Sequence, residues 1–112
     1  MAHYEQTLTG DVDPFIAHLD DVILGGSVTA NQEDGADHRI GGARMVVRVY
    51  ERYSAMGGNR VSLSVAVLSV GAEMSVSAIT SGGSQAMFFK INTMGEEAFL
   101  QKAVEAIQGY AA

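Results

Sequence analysis

Residues 60–79 read RVSLSVAVLSVGAEMSVSAI, and the fold class follows from how this stretch alternates. Val61, Leu63, Val65 and Val67 fall at every second position, with Ser62, Ser64 and Ala66 between them. Beyond Gly71, the residues Met74, Val76 and Ala78 alternate with Glu73, Ser75 and Ser77. Successive side chains of a strand point to opposite faces. A period of two with the apolar members on one side therefore describes antiparallel strands, one face buried and the other turned to water or a partner. Gly71 can take positive φ at no steric cost and turns the chain between the two strands.

Working outward toward the N-terminus, residues 43–53 also alternate. Met45, Val47, Val49 and Tyr53 are expected to point into the core. Arg44, Arg48 and Arg52, with Val46 and Tyr50 between them, are expected on the outer face. His3 to Thr9 reads as a first strand with Tyr4 and Leu8 on one side. Asp13-Pro14 reads as a helix start, because aspartate caps free N–H groups and proline is preorganised at the first helical position. Phe15, Leu19, Val22 and Ile23 then recur at helical spacing until Gly25-Gly26. Ser27 to Asn31 is expected as a short strand, followed by an acidic loop turning at Asp34-Gly35. Toward the C-terminus, Gln85 to Ile91 reads as a last strand with Met87, Phe89 and Ile91 inward. Thr93-Met94-Gly95-Glu96 fits a capping box, opening a helix over Met94–Gln108. Phe99, Leu100, Ala103, Val104 and Ile107 form its apolar stripe, which is stable only when laid across the sheet.

The expectation is one α+β domain over residues 1–112: a strand, a helix, four or five antiparallel strands, then a long C-terminal helix packed on the sheet. This β-α-β(4–5)-α order resembles the helix-grip architecture of START-related and birch-pollen-allergen-type proteins, in which a curved antiparallel sheet wraps a C-terminal helix. That resemblance implies an apolar ligand between sheet and helix. More locally, Gly82-Gly83-Ser84-Gln85-Ala86-Met87-Phe88-Phe89-Lys90, followed by Gly95-Glu96-Glu97-Ala98-Phe99-Leu100, resembles a family of small bacterial proteins of unknown function. It implies no activity.

The chain has 112 residues and no cysteine. That excludes disulfides and thiolate nucleophiles and points to a reducing compartment. Residues 1–14 carry His3, Glu5, Asp11 and Asp13 without an apolar run, so no signal peptide is read there. No run approaches the ~20 residues of a membrane span. A cytoplasmic location is the expectation. A net charge of −6 disfavours nucleic acid, whose binding rests on neutralising phosphates. Charge is also unevenly distributed. Glu5, Asp11, Asp13, Asp20, Asp21, Glu33, Asp34 and Asp37 precede any Lys or Arg, whereas Arg39, Arg44, Arg48, Arg52 and Arg60 share residues 38–60 with Glu51 alone. Either the two segments neutralise each other within the fold, or the arginines serve an anion or a partner.

No catalytic constellation emerges. Gly82-Gly83-Ser84-Gln85-Ala86 superficially matches a nucleophile elbow, but a strand is expected after Ser84 and no histidine follows. The same segment is a poor phosphate cradle, since Lys90 is expected in a strand and not at a helix start. His3, His18 and His38 lack metal-ligand spacing, and no cofactor or metal is expected. Glu96 and Glu97 suit a helix start better than acid–base work. Two readings remain. The first is a non-enzymatic domain that forms a homodimer through its outer sheet face or the adjoining edge strand and holds an apolar small molecule against Met45, Val47, Leu63, Val65, Met74 and Phe99. In it Arg44, Arg48, Arg52, Tyr50 and Phe88 form the interface, with the acidic segment of one copy meeting the arginines of the other. The alternative is an enzyme or binder of a small anionic ligand held by those arginines.

Overall fold

The computed structural model describes residues 2–26, 29–53, 60–82 and 89–111, with side chains in the last segment described from 95 to 110. Five strands and two helices follow one another: β1 (Ala2–Thr9), α1 (Val12–Gly25), β2 (Asn31–Ile40), β3 (Ala43–Tyr53), β4 (Arg60–Val70), β5 (Glu73–Gly82) and α2 (Phe89–Ala111). The strands form one fully antiparallel sheet in the order β1-β5-β4-β3-β2. β1 and β2 occupy opposite edges, so α1, which joins them, must cross the sheet, and α2 returns over the same face.

Two hairpins turn in two residues, Gly41-Gly42 and Gly71-Ala72. The first turn residue takes a φ of +57° in one and +59° in the other. Only glycine adopts this conformation without strain, and it is how a tight hairpin matches the twist of its strands.

The core lies between the sheet and the two helices. β4 contributes Val61, Leu63, Val65 and Val67, and β5 contributes Met74, Val76 and Ala78, all buried as their alternation required. Phe15, Leu19 and Ile23 of α1 meet Phe99, Ala103, Ala106 and Ile107 of α2 above them. The Phe15 and Tyr110 rings pack edge to face at 5.1 Å and 71°, an arrangement favoured by the ring quadrupoles.

Four expectations from the sequence are corrected. First, β3 faces the other way. Val46 pairs with Val67, Arg48 with Val65 and Tyr50 with Leu63. The even-numbered residues thus share the helix-covered face: Val46 and Tyr50 are buried, while Met45 is exposed on the opposite side. Two apolar rows competed for the interior. Val46 and the large Tyr50 won because the arginines beside them bury their stems and lead their heads to partners at the sheet margin.

Second, the acidic segment is a strand and not a loop. β2 runs ten residues with every residue exposed. A strand that buries neither face needs no alternation, so nothing in its pattern announced it. Of the short strand expected over Ser27 to Asn31, Ser27 and Val28 lie outside the described residues, and the strand that is described begins at Asn31. Third, Phe89, Lys90 and Ile91 belong to α2 and not to a strand, while Gln85 to Phe88 lie outside the described residues. Fourth, α1 begins at Val12 with Asp11 at its N-cap, placing Asp13 inside the first turn. α2 likewise starts before its supposed capping box. Glu96 is buried well inside it, where Oε1 accepts the Gly82 N–H at 2.8 Å. The Thr80 hydroxyl donates to the Glu96 carbonyl at 3.0 Å. The glutamate fastens the helix to the end of β5 and does not cap the helix start.

Candidate functional site

The arginines of β3 and the acids preceding them meet in a cleft of about 430 Å³ between α1 and the β2–β3 hairpin. Asp13, Ile16, Ala17 and Asp20 line it from α1, Arg44, Val46 and Arg48 from β3, and residues 35–37 from β2. The local rules explain the assembly. α1 turns its apolar stripe to the core, which leaves Asp13 and Asp20 on the flank facing β3. The β3 pleat sets Arg44 and Arg48 on that side.

Arg44 is a clamp. Its Nε and Nη2 donate to the two oxygens of Asp37 at 3.0 and 2.7 Å, and Nη1 lies 3.0 Å from Asp13 Oδ1. Such forked pairing is the strong form of the guanidinium–carboxylate bond. The Arg44 hydrogen bond holds the Asp37 carboxyl below its usual range, and Asp37 in turn drives the guanidinium above its own. One side chain thereby ties the edge strand and the helix to β3.

Farther along β3, the Tyr50 hydroxyl donates a short hydrogen bond to Asp20 Oδ1, and Arg48 Nη2 lies 3.4 Å from Oδ2. Burial first, and the Asp20 carboxylate second, push the Tyr50 phenol well above its ordinary value, so Tyr50 stays protonated and is no general base. Arg52 is lowered by burial, and its guanidinium lies over the Phe99 ring with 4.5 Å to the centroid. Arg60 closes the series with Glu33 at 2.9 Å and a closer contact to Glu51. Arg44, Arg48 and Arg60 thus each meet a carboxylate of the acidic segment within one chain, whereas Arg52 meets a ring.

The anion or interface set is therefore only partly brought together. Arg44, Arg48, Arg52 and Tyr50 lie on the helix-side face, not the outer one, and Phe88 is outside the described residues. The apolar set also divides. Leu63, Val65, Met74 and Phe99 are fully buried in one core, whereas Met45 and Val47, paired with Leu68 and Ala66, lie on the other face. These six do not line one cavity.

Among the described residues, no group of three or more His, Asp or Glu side chains is placed to hold a metal. His18 instead links the helices, its Nε2 lying 3.0 Å from the Ala106 carbonyl oxygen. No helix of the described chain is long and apolar enough to cross a membrane.

The second notable surface is the sheet face that, among the described residues, no helix covers. Its centre is formed by Ala43, Met45, Val47 and Val49 of β3, Ser62, Ser64, Ala66, Leu68 and Val70 of β4, and Ser75, Ser77, Ile79 and Ser81 of β5. None is charged, and Met45, Leu68, Val70 and Ile79 are among the most exposed large apolar residues. Among the described residues, charges stand around this centre: Glu5, Asp34, Glu51, Arg60 and Glu73, with Glu33 reaching Arg60. Sequence reasoning missed Met45 and Val47 as members of this face, because the inverted β3 hid them.

Fold and surfaces together define a small α+β domain: a five-stranded antiparallel sheet carrying two helices on one face, with the other face uncovered among the described residues. Residues 1–111 match the family of unknown function DUF6054, and the chain belongs to that family. Comparison with curated proteins finds no match.

Proposed function

We propose that this chain is a non-enzymatic domain that pairs with a second copy of itself through the uncovered sheet face. The observation that supports the reading is the uncharged centre of that face, spanning three adjacent strands inside a charged margin. An apolar or small-residue centre with a polar rim is the anatomy of a protein interface. Its size also suits a dimer. Taken to its full extent, margin included, a face of five strands ~4.8 Å apart and about ten residues long spans roughly 800 Å² per copy, so two fully stacked faces cover at most about 1,600 Å², within the range of specific interfaces. Aligned sheet-on-sheet packing interdigitates such rows of medium and small side chains. A twofold axis sets each patch against its counterpart. Arg44, Arg48 and Arg52 take no part, since they lie on the helix side of the sheet. A reducing, cytoplasmic setting suits a chain without cysteine.

Sedimentation at tens of micromolar tests the reading. The expected mass is twice the 11.8 kDa of one chain. Leu68→Glu with Val47→Glu should return it to a single chain with an unchanged circular dichroism spectrum, because both side chains leave the sheet away from the core. A wild-type monomer, or a dimer indifferent to the double substitution, overturns it.

A further inference from the structure

The cleft between α1 and the β2–β3 hairpin contains one guanidinium that is bonded incompletely. Arg44 is saturated by Asp37 and Asp13. Arg48, on the same face, makes only the 3.4 Å contact to Asp20, and its Nε is buried without a hydrogen-bond partner among the described residues. Buried donors are almost always satisfied, so an orphaned one calls for an explanation. Asp20 is meanwhile committed through its other oxygen to the Tyr50 hydroxyl.

Opposite Arg48 in the β2–β3 register stands Gly35. A Cβ at this position would come within 2.8 Å of the Val47 carbonyl oxygen and 3.5 Å of Arg48 Nη1. Glycine therefore keeps the space beside the guanidinium open. Ile16, Ala17 and Val46 supply an apolar wall, and the volume of about 430 Å³ lies at the small end of ligand sites.

We infer that this cleft binds a small zwitterion of the α-amino-acid class, its carboxylate on Arg48 and its ammonium toward Asp13 and Asp37. A planar guanidinium with spare donors matches a carboxylate in shape and charge. Charge balance then selects among anions. Asp13, Asp20 and Asp37 against Arg44 and Arg48 leave the lining one negative charge in excess. A phosphate dianion would add two more, whereas a zwitterion adds none and offers the surplus carboxylate a cation. A simple amine would leave Arg48 as it is. The apolar wall takes a short aliphatic side chain. The site is on the helix side of the sheet, so it stands or falls independently of self-association.

Two-dimensional amide NMR of the full chain, titrated with L-alanine, L-valine, acetate, methylamine and inorganic phosphate, tests this. The amides of Ala17, Gly35 and Arg48 should shift saturably with the amino acids, at least tenfold more weakly with acetate, and not with phosphate. Arg48→Lys keeps the charge but loses the fork and should weaken alanine binding at least tenfold. Ala17→Leu, at an exposed helix position, should do the same by filling the cleft, and serves should Arg48→Lys disturb the fold. No saturable response to either amino acid, phosphate binding as tightly as alanine, or undiminished binding in a folded variant would each overturn the inference.

Discussion

The two sides of the sheet's midline are built on different physics. Under α2, β5 and β4 bury apolar rows, β1 adds Leu8, and Phe99, Leu63, Val65 and Val76 are fully enclosed. Beside α1, β3 buries Val46 and Tyr50 but turns Arg44 and Arg48 toward carboxylates, and β2 buries nothing. Burial of apolar area is non-directional and supplies most of the folding free energy. Ion pairs at the margin contribute little to global stability but are directional, so they fix position. The first region makes the domain stable, and the second decides where an edge strand lies.

This contrast can be broken most forcefully at Phe99. Replacing it with Ala should cost about 3–5 kcal/mol, through lost transfer energy and a cavity, and would also remove the ring beneath Arg52. A midpoint in urea that barely moves would show that the α2 side is not the stabilising one. Tyr50 belongs to both regions, and Tyr50→Phe keeps the ring while deleting the bond to Asp20. A loss of about 1–2 kcal/mol is expected for a hydrogen bond to a charged acceptor. The same variant has a pH signature. The folded phenol titrates above its unfolded value of 10.0, so its contribution is complete below pH 10 and is lost as the pH rises further. Wild-type stability should therefore decline from pH 10 upward more steeply than that of the phenylalanine variant.

A smaller and more local effect is expected at Arg44. Arg44→Gln should speed hydrogen exchange of the β2 amides several-fold while leaving β4 amides unchanged, since sub-global opening is governed by local contacts. Acid should act likewise. Asp37 titrates below its ordinary value, so its hold on β2 is present above pH 3.8 and fades as the pH falls through the lowered value. Equal acceleration in both strands would mean that the clamp supports the whole fold. The smallest effect belongs to Ile40, 83% exposed at the hairpin tip. Ile40→Ser should stay within about 0.5 kcal/mol of wild type.

The same contrast explains what was legible in the sequence. β4, β5, the α1 stripe and the Phe99–Ile107 stripe of α2 bury one face each, and burial writes a period that can be read. β3 carried two apolar rows, and the choice between them depended on partners in α1 that no local pattern records. β2 has no buried face and so no period. Thr93 to Glu96 has the spacing of a helix cap, but what Glu96 caps is the Gly82 N–H across the domain, a contact with no local signature. Of the cleft, the sequence revealed the two opposite charge blocks and their mutual neutralisation as one possibility. It could not assign Arg44 to Asp37 or leave Arg48 short of partners, because those outcomes depend on ångström-scale geometry.

The sheet order also has a consequence for synthesis. β2 through β5 pair with their neighbours in sequence and can zip together as they emerge. β1 cannot, because Ala2 pairs with Thr80 and Thr9 with Glu73. At about 5–20 residues per second, the first strand waits roughly 4–14 s on the ribosome for its only partner. β1, made before the other described strands, is thus the last of them to join the sheet.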